Sequence, residues 1–176
     1  PRVQFNVINC GVSGASCWHF ATDESIARYV TAHRPDLTVV SFGLNDSGKG
    51  FDGIAEYENS LKKLFTAIKN EGSEIVFITE NTVCDRVSEE FSDDLKIIAE
   101  DLKNRQNSGL LKTYFDAAKI ICEEFSVPVI DGYSFFEKLR VAGVDTNELM
   151  AGHLNHPVRE YHRYLAVKIV EKMLLD

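Results

Sequence analysis

Short apolar runs alternate along the chain with longer segments in which apolar residues recur every three or four positions. The short runs are typical of strands buried on both faces, and the three-and-four spacing is typical of helices with one apolar face. The runs that predict strands are residues 3–8, 37–42, 75–79 and 127–131. The segments that predict helices are residues 22–34, 54–72, 111–125, 133–142 and the stretch from 157 onward.

Capping and breaking residues support several of these boundaries. Thr22, followed by two acidic residues, is typical of a helix start, and Pro35 ends that helix. Pro157 suits the first turn of the last helix. The predicted apolar face of that helix consists of Val158, Tyr161, Leu165, Ile169 and Met173. Residues 81–109 are polar with a weak helical pattern, so we predict an excursion that carries one helix.

Strands that alternate with helices of this length predict a parallel sheet covered by helices on both faces. No repeat, linker or low-complexity stretch divides the 176 residues, which is the size of one globular domain. We therefore predict one α/β domain over residues 1–176. In such sheets the functional residues collect where the strands end.

Composition excludes several classes of partner. The net charge of -8 and the absence of a basic cluster argue against nucleic-acid binding. The longest apolar runs are far shorter than the roughly 20 residues that span a bilayer. The four cysteines are scattered, so buried free thiols are favoured over disulfides. Composition leaves the compartment, cytoplasmic or secreted, and the oligomeric state open.

Polar residues follow the predicted strands in succession. They are found in Asn9 to Gly14, in Gly43 to Ser47, at Glu80-Asn81, at Asp131, and in Gly152 to Pro157. Backbone N–H groups and an asparagine amide aimed at one point can form an oxyanion hole, worth about 3 to 4 kcal/mol per donor. A histidine at a helix start can serve as a general base.

Each of these features also has a structural explanation. Gly11 and Gly14 can simply allow a turn with positive φ, and Asn45-Asp46 can cap a helix. A single histidine such as His156 is more often structural than catalytic. Their coincidence at successive strand ends favours an active site.

Ser13 is the first serine to consider as a nucleophile. The stretch Gly11-Val12-Ser13-Gly14-Ala15 nearly matches a nucleophile elbow, and Ser13, Asp131 and His156 follow the corresponding chain order. That elbow normally follows several strands, however, whereas few residues precede Ser13. We therefore predict that Ser13 is a turn residue.

Metal binding by the histidines near the last helix is a further alternative. His153 and His156 have a suitable spacing, but Pro157 interrupts the regularity before His162, and no acidic or cysteine ligand is nearby. The sequence therefore predicts no metal site.

Three blocks together resemble the SGNH (GDSL-type) hydrolase family over essentially the whole chain. These blocks are Asn9-Cys10-Gly11-Val12-Ser13-Gly14, Gly43-Leu44-Asn45-Asp46 and Asn155-His156-Pro157. The resemblance implies a three-layer α/β/α, flavodoxin-like fold and a serine esterase that needs no metal or cofactor. It also implies that the Gly11 N–H and the Asn45 side chain are oxyanion-hole donors and that His156 is the general base.

Two departures from the family pattern stand out. The family carries its nucleophile in a Gly-Asp-Ser turn after the first strand, and no Gly-Asp-Ser occurs in this sequence. The family usually has an aspartate three residues before the histidine, where this chain has His153. Members with an Asn-His-Pro ending and a segment like Thr79-Glu80-Asn81 can lack that aspartate, and a backbone carbonyl could then hold the ring.

The missing block has a structural consequence. In the flavodoxin-like strand order 2-1-3-4-5 the first strand lies in the middle of the sheet, between the strands that end at Asn9 and Gly43. Without it, backbone groups in the core would be unpaired, at about 1 to 3 kcal/mol each. We therefore expect the central strand and the nucleophile to lie upstream of Pro1. The alternatives are a second chain or a rearranged sheet that fills the gap.

The expected function follows from this set of blocks. We expect a serine esterase for small acyl groups, with an acetylated carbohydrate as substrate, and we expect the 176-residue chain alone to be inactive. The alternative is a non-catalytic carbohydrate- or partner-binding module that retains the site without its serine.

Overall fold

The computed structural model describes residues 5–175. Its main sheet is parallel, with the order β1-β2-β3, and consists of β1 (Leu37–Val40), β2 (Glu74–Thr79) and β3 (Val129–Asp131). A short antiparallel pair consists of β4 (Met150–Ala151) and β5 (His156–Pro157).

Helices connect and cover these strands. The α-helices are α1 (Cys17–Phe20), α2 (Asp23–Ile26), α3 (Ile54–Asn70), α4 (Asp93–Asn107), α5 (Leu110–Glu124), α6 (Gly132–Val141) and α7 (Arg159–Leu175). A π-helical turn, Ala27–Thr31, continues α2. Short 3-10 turns lie at Asp46–Lys49, Phe51–Gly53 and Thr146–Leu149.

Both faces of the sheet are covered, which confirms the predicted α/β/α fold. On one face, the apolar stripe of α3 and the inner side of α5 pack on Ile75 and Phe77 of β2. On the other face, Leu165 and Ile169 of α7 pack on Val76, Ile78 and Ile130. Burial of these side chains is the main stabilising contribution, at about 25 cal/mol per Å² of apolar surface.

The register places the carboxyl ends of the strands at one edge. Val40 of β1 lies opposite Phe77 of β2, and Thr79 lies opposite Asp131 of β3. The loops that follow the three strands therefore leave the sheet on the same side. This is the edge where the sequence placed the candidate site.

The predicted strand at residues 3–8 is wrong for its described part, and residues 3 and 4 lie outside the described residues. Residues 5–8 have no regular structure, and Phe5, Val7 and Ile8 are 54%, 87% and 50% exposed. The physical reason is that β1 is an edge strand within residues 5–175, and no described strand offers residues 5–8 a ladder of hydrogen bonds.

The predicted burial of the strand at 37–42 on both faces is wrong in part. Its regular part is shorter, Leu37–Val40, and Val39 is 44% exposed. Val39 pairs with Val76, on the face where α7 packs, and the helix leaves it partly in solvent.

The predicted start of the last helix at Pro157 is also wrong. Pro157 lies in β5 opposite Met150, and α7 begins at Arg159. The Val158 N–H donates to the Leu149 carbonyl at 2.9 Å, so the backbone is held extended until that point. Tyr161, Leu165 and Ile169 face inward as predicted, whereas Met173 is 38% exposed.

The other predicted helices are present, including α4 inside the polar excursion, whereas the short α1 (Cys17–Phe20) was not predicted. Thr22 caps α2 by accepting a hydrogen bond from the Ser25 N–H at 3.1 Å. Cys17, Cys84 and Cys122 are buried free thiols, as expected, and Cys10 is partly exposed. No helix within the described residues is long and apolar enough to cross a membrane.

Candidate active site

The loop after β1 and the segment before α1 meet at the carboxyl edge of the sheet. The Asn45 side-chain N–H donates to the Ala15 carbonyl at 3.0 Å, and the Cys17 N–H donates to Asp46 Oδ1 at 2.8 Å. The loop that carries Asn45 is therefore bound to the residues directly after the Asn9–Gly14 block.

The segment before α1 contains a tight turn around Ser13. The Ala15 N–H donates to the Val12 carbonyl at 3.2 Å, and Gly14 has a φ of 73°. A positive φ at this position is what a type II turn requires, and it explains the glycine. Ser13 is an exposed residue of this turn, as the sequence predicted.

Gly11 lies in the same exposed segment. Its N–H donates to the Asn9 side-chain oxygen at 2.9 Å. The amide predicted to bind an oxyanion is thus hydrogen-bonded within its own loop, and a substrate oxygen would have to replace Asn9 Oδ1 there.

Asn45 is exposed at the edge of the sheet. The next residue, Asp46, anchors the loop through its hydrogen bonds. An asparagine amide carries two N–H donors, so the contact with Ala15 uses one of them. Asp46 is fully buried and also accepts from the Gly43 N–H at 3.1 Å. Burial raises the pKa of Asp46 to about 6, although the hydrogen bonds from backbone N–H groups oppose that shift.

Gly43 brings this loop close to the core. Its φ is 143°, and a Cβ built on it would lie 2.6 Å from the buried Phe115 ring. The preceding carbonyl, that of Phe42, accepts a hydrogen bond from the Tyr57 hydroxyl at 2.8 Å. Only glycine fits both this backbone conformation and this packing.

The loop after β2 contacts loops on either side. Glu80 Oε2 accepts from the Leu44 N–H at 2.9 Å, and the Asn81 side chain donates to the Asn155 carbonyl at 2.9 Å. Burial raises the pKa of Glu80 to about 7; the Leu44 N–H opposes this shift and nearby Asp46 adds to it. The sequence placed this pair at a strand end but assigned it no role. An acidic residue directly after a buried apolar run is the signal that could have identified Glu80.

His156 lies in β5, opposite Ala151, and is exposed. The Asn81 contact holds the residue just before it, and the Cys84 N–H donates to the Leu154 carbonyl at 2.7 Å. The backbone of the His156 loop is therefore tied to the loop after β2.

His153 stands where the family usually has an aspartate. It has a φ of 55°, and its Nδ1 lies 3.2 Å from the Asn147 carbonyl. This ring is held by a backbone group of its own loop. Within residues 5–175 no group of three or more His, Cys, Asp or Glu side chains is arranged to hold a metal ion.

Asp131 has a structural role. It accepts hydrogen bonds from Thr79 Oγ1, from the Ser134 N–H and from Ser134 Oγ, and it pairs with Lys119 at 3.1 Å. Burial alone would raise the pKa of Asp131, but the contacts with Ser134 and Lys119 together hold it below its ordinary value. This carboxylate caps α6, which explains its position without a catalytic triad.

The model of the GDSL-like lipase/acylhydrolase family matches residues 2–164 of the sequence. The chain belongs to this family. No curated protein matches it in sequence.

Solved structures with a similar fold include acetyl xylan esterases. The acetyl xylan esterase AlAXEase has a TM-score of 0.73 at 13% identity, covering 97% of this chain and 82% of that one. A mutant of Axe2, the acetyl-xylooligosaccharide esterase of Geobacillus stearothermophilus, has a TM-score of 0.68 at 21% identity, covering 96% and 72%. A catalytic mutant of Axe2 in which a serine is replaced by alanine has a TM-score of 0.68 at 20% identity, covering 95% and 71%.

For this GDSL-like chain, a series of hydrogen bonds thus connects the Asn45 block with the His156 block, and with Ala15 directly after the Asn9–Gly14 block. The series runs from Ala15 to Asn45, from Leu44 to Glu80, and from Asn81 to Asn155 beside His156. A groove between α2 and α3, lined by Ile26, Lys63 and Ala67 among others, contains none of the predicted site residues.

Proposed function

We propose that this GDSL-like family member hydrolyses small acyl esters and that its substrate class is acetylated carbohydrates. The observation that carries the proposal is the series of hydrogen bonds that joins the Asn45 loop and the His156 loop at the carboxyl edge of the sheet. Membership of an acylhydrolase family supports the reaction. The similarity of the fold to acetyl xylan esterases supports the substrate class.

In the proposed reaction a serine oxygen attacks the ester carbonyl carbon while His156 accepts the serine proton. The carbonyl electron pair moves to oxygen, and this oxyanion accepts hydrogen bonds from Asn45 Nδ2 and the Gly11 N–H. The C–O bond then breaks, and the alcohol leaves with the proton from His156. Water repeats the sequence on the acyl-enzyme, releases the acid and restores the serine.

Both proposed oxyanion donors, the Asn45 side chain and the Gly11 N–H, already make a hydrogen bond in the structure. Asn45 can keep its contact with the Ala15 carbonyl and offer its second N–H to the substrate. The Gly11 N–H has to leave Asn9 Oδ1, which an exposed loop allows at small cost.

We further propose that the nucleophile comes from a segment outside residues 1–176. Two observations support this: the sequence contains no Gly-Asp-Ser, and β1 has a free edge within the described residues. A strand added beside β1 would pair its backbone groups, cover Val39, and end at the same edge as Asn45.

The test uses the protein produced from the complete reading frame, with p-nitrophenyl acetate and acetylated xylo-oligosaccharides as substrates. We expect hydrolysis of both, and we expect His156→Ala to lower kcat by about 10³-fold or more. The matched control is His162→Ala, another exposed histidine close by in the sequence, which should leave kcat unchanged. Equal turnover by wild type and His156→Ala would refute the assignment.

Two further outcomes separate the alternatives. Binding of acetylated oligosaccharides without any turnover, in a complete protein that lacks Gly-Asp-Ser, would favour the non-catalytic module. Labelling of Ser13 by a fluorophosphonate in the 176-residue chain would show that the nucleophile lies within it.

A further inference from the structure

We propose that Glu80 and Asn81, consecutive residues after β2, are positioning residues that hold the Asn45 loop and the His156 loop to the same strand end. The catalytic consequence rests on the proposed function. The positioning itself rests on the hydrogen bonds of the folded chain.

Glu80 controls the loop after β1. Its Oε2 accepts the Leu44 N–H at 2.9 Å, and Leu44 directly precedes Asn45. The Leu44 carbonyl accepts from Ser47 Oγ at 2.7 Å, and Arg105 Nη1 also lies within reach at 3.4 Å. Both the N–H and the carbonyl of Leu44 are therefore hydrogen-bonded. This restricts the backbone direction at Asn45 and, with it, the position of the Asn45 side-chain amide.

Asn81 controls the loop that carries His156. Its side chain is 5% exposed, and Nδ2 donates to the Asn155 carbonyl at 2.9 Å and to the Thr82 carbonyl at 2.6 Å. Asn81 and Asn155 are 74 positions apart in the sequence, so this hydrogen bond joins distant parts of the chain. The β4–β5 pair is only two residues long on each side, so this contact adds to the backbone hydrogen bonds of Cys84 with Leu154 and of Val158 with Leu149 in fixing the loop.

The strand that directly precedes both residues gives them a rigid attachment. β2 is paired on both sides, and its residues from Ile75 to Thr79 are buried. A buried central strand is among the last parts of a protein to open locally. Two loops attached to adjacent residues of such a strand end keep a constant separation, which acyl transfer requires of an oxyanion donor and a base.

Two substitutions test the two contacts separately, that of Glu80 with Leu44 and that of Asn81 with Asn155. Glu80→Leu removes the acceptor of the Leu44 N–H, and Asn81→Leu removes the donor to the Asn155 carbonyl. Glu80→Gln keeps a side-chain oxygen for Leu44 and is the conservative variant. Thr82→Val is the control, because the hydroxyl of Thr82 is buried without a hydrogen-bond partner.

The first measurement is amide hydrogen exchange of the folded protein produced from the complete reading frame. We expect Glu80→Leu to speed exchange in residues 43–46 by about tenfold or more, and Asn81→Leu to do so at Cys84 and Val158. Glu80→Gln and Thr82→Val should match the wild type. Unchanged protection in both leucine variants would overturn the proposal.

The second measurement is steady-state kinetics of the protein from the complete reading frame. Each leucine variant should lower kcat by about tenfold to a hundredfold with little change in KM, because misplaced groups weaken the transition state more than substrate binding. Glu80→Gln should restore the wild-type kcat. A Glu80→Gln variant as slow as Glu80→Leu would overturn the positioning role.

The two measurements separate this inference from the proposed function. If the complete protein hydrolyses no ester, the function fails while hydrogen exchange still decides the positioning. If turnover is normal in both leucine variants, the positioning fails and the esterase stands.

Discussion

Asn45 is the residue whose proposed role depends most directly on its own chemistry. Its side chain is exposed and makes one hydrogen bond to a backbone carbonyl, so its contribution to stability is small. Such a contact is worth about 1 kcal/mol at most in solvent. A large effect of its removal on catalysis would therefore report its action on the substrate.

We predict that Asn45→Ala lowers kcat of the complete protein by about 10² to 10³-fold, the usual effect of losing an oxyanion-hole donor. The midpoint of thermal unfolding should change little. Parallel kinetics and thermal denaturation check this pair of outcomes. A loss of kcat that merely follows a loss of folded protein would contradict the role.

Gly43 is a second single residue with a specific role, because its backbone packs closely against the Phe115 ring. We predict that Gly43→Ala lowers the free energy of unfolding by about 1 to 3 kcal/mol, because the new Cβ would overlap the buried Phe115 ring. Urea denaturation measures the change. Gly48→Ala is the matched control, since a Cβ there would meet only the flexible end of Arg105, at 3.3 Å. Equal stability of both variants would contradict the packing argument.

At the scale of elements, the start of α6 determines the role of Asp131. This carboxylate caps the helix through the Ser134 N–H and joins it to β2 through Thr79. A triad acid would instead need to reach the imidazole of the base. The two roles predict different effects of the same substitution.

We predict that Asp131→Ala lowers the free energy of unfolding by about 1 to 2 kcal/mol, the usual effect of losing a helix cap. Urea denaturation would show it. The kcat of the folded fraction of the complete protein should stay within about twofold of wild type. A loss of kcat comparable to that of His156→Ala would contradict the structural role.

Elements also explain which boundaries could be predicted from the sequence. The apolar stripe of α3 from Tyr57 to Ile68 and the buried run of β2 follow directly from residue spacing, because each pattern fits one backbone geometry. The boundary at Pro157 could not be found that way. Proline suits both a first helical turn and a short extended pair, and contact with Met150 decides between them.

At the scale of the whole molecule, buried acids link stability to pH. Glu80 and Asp46 lie near each other on adjacent loops, and Tyr57, whose hydroxyl is also buried, faces both. Burial raises the pKa of Glu80 from 4.5 to about 7 and that of Asp46 from 3.8 to about 6. The folded state therefore binds more protons than the unfolded state between these values.

The sign of the pH dependence follows from that difference. We predict that the contribution of Glu80 to the free energy of unfolding is greatest below pH 4.5 and falls as the pH rises to about 7. The fall is about 2 to 3 kcal/mol at most. Urea titrations at several pH values between 5 and 7.5 measure it, because acids with lowered pKa, such as Asp131, act below that range.

Glu80→Gln is the control for this prediction, since it keeps an oxygen for the Leu44 N–H but cannot ionise. The pH slope of its stability should be reduced to the part that Asp46 contributes. An identical slope in wild type and Glu80→Gln would show that Glu80 does not titrate in this range.

The site was only partly predictable. The Asn45 block and the His156 block could be recognised because each is a short local motif beside a predicted element. The connection through Glu80 and Asn81 could not, because it depends on contacts with residues far along the chain. The same holds for the Gly11 amide, whose bond to Asn9 is a property of the folded loop.

By itself, the sequence determined the alternation of strands and helices, the membership of the α/β/α class, and the strand ends at which polar residues gather. These follow from local periodicity and from the residue types that suit turns and caps. The tertiary structure alone decided that residues 5–8 are not a strand, that His156 lies in β5, and that Asp131 is a cap. The reason is that a strand needs a partner and a carboxylate takes the donors around it, and both come from distant parts of the chain.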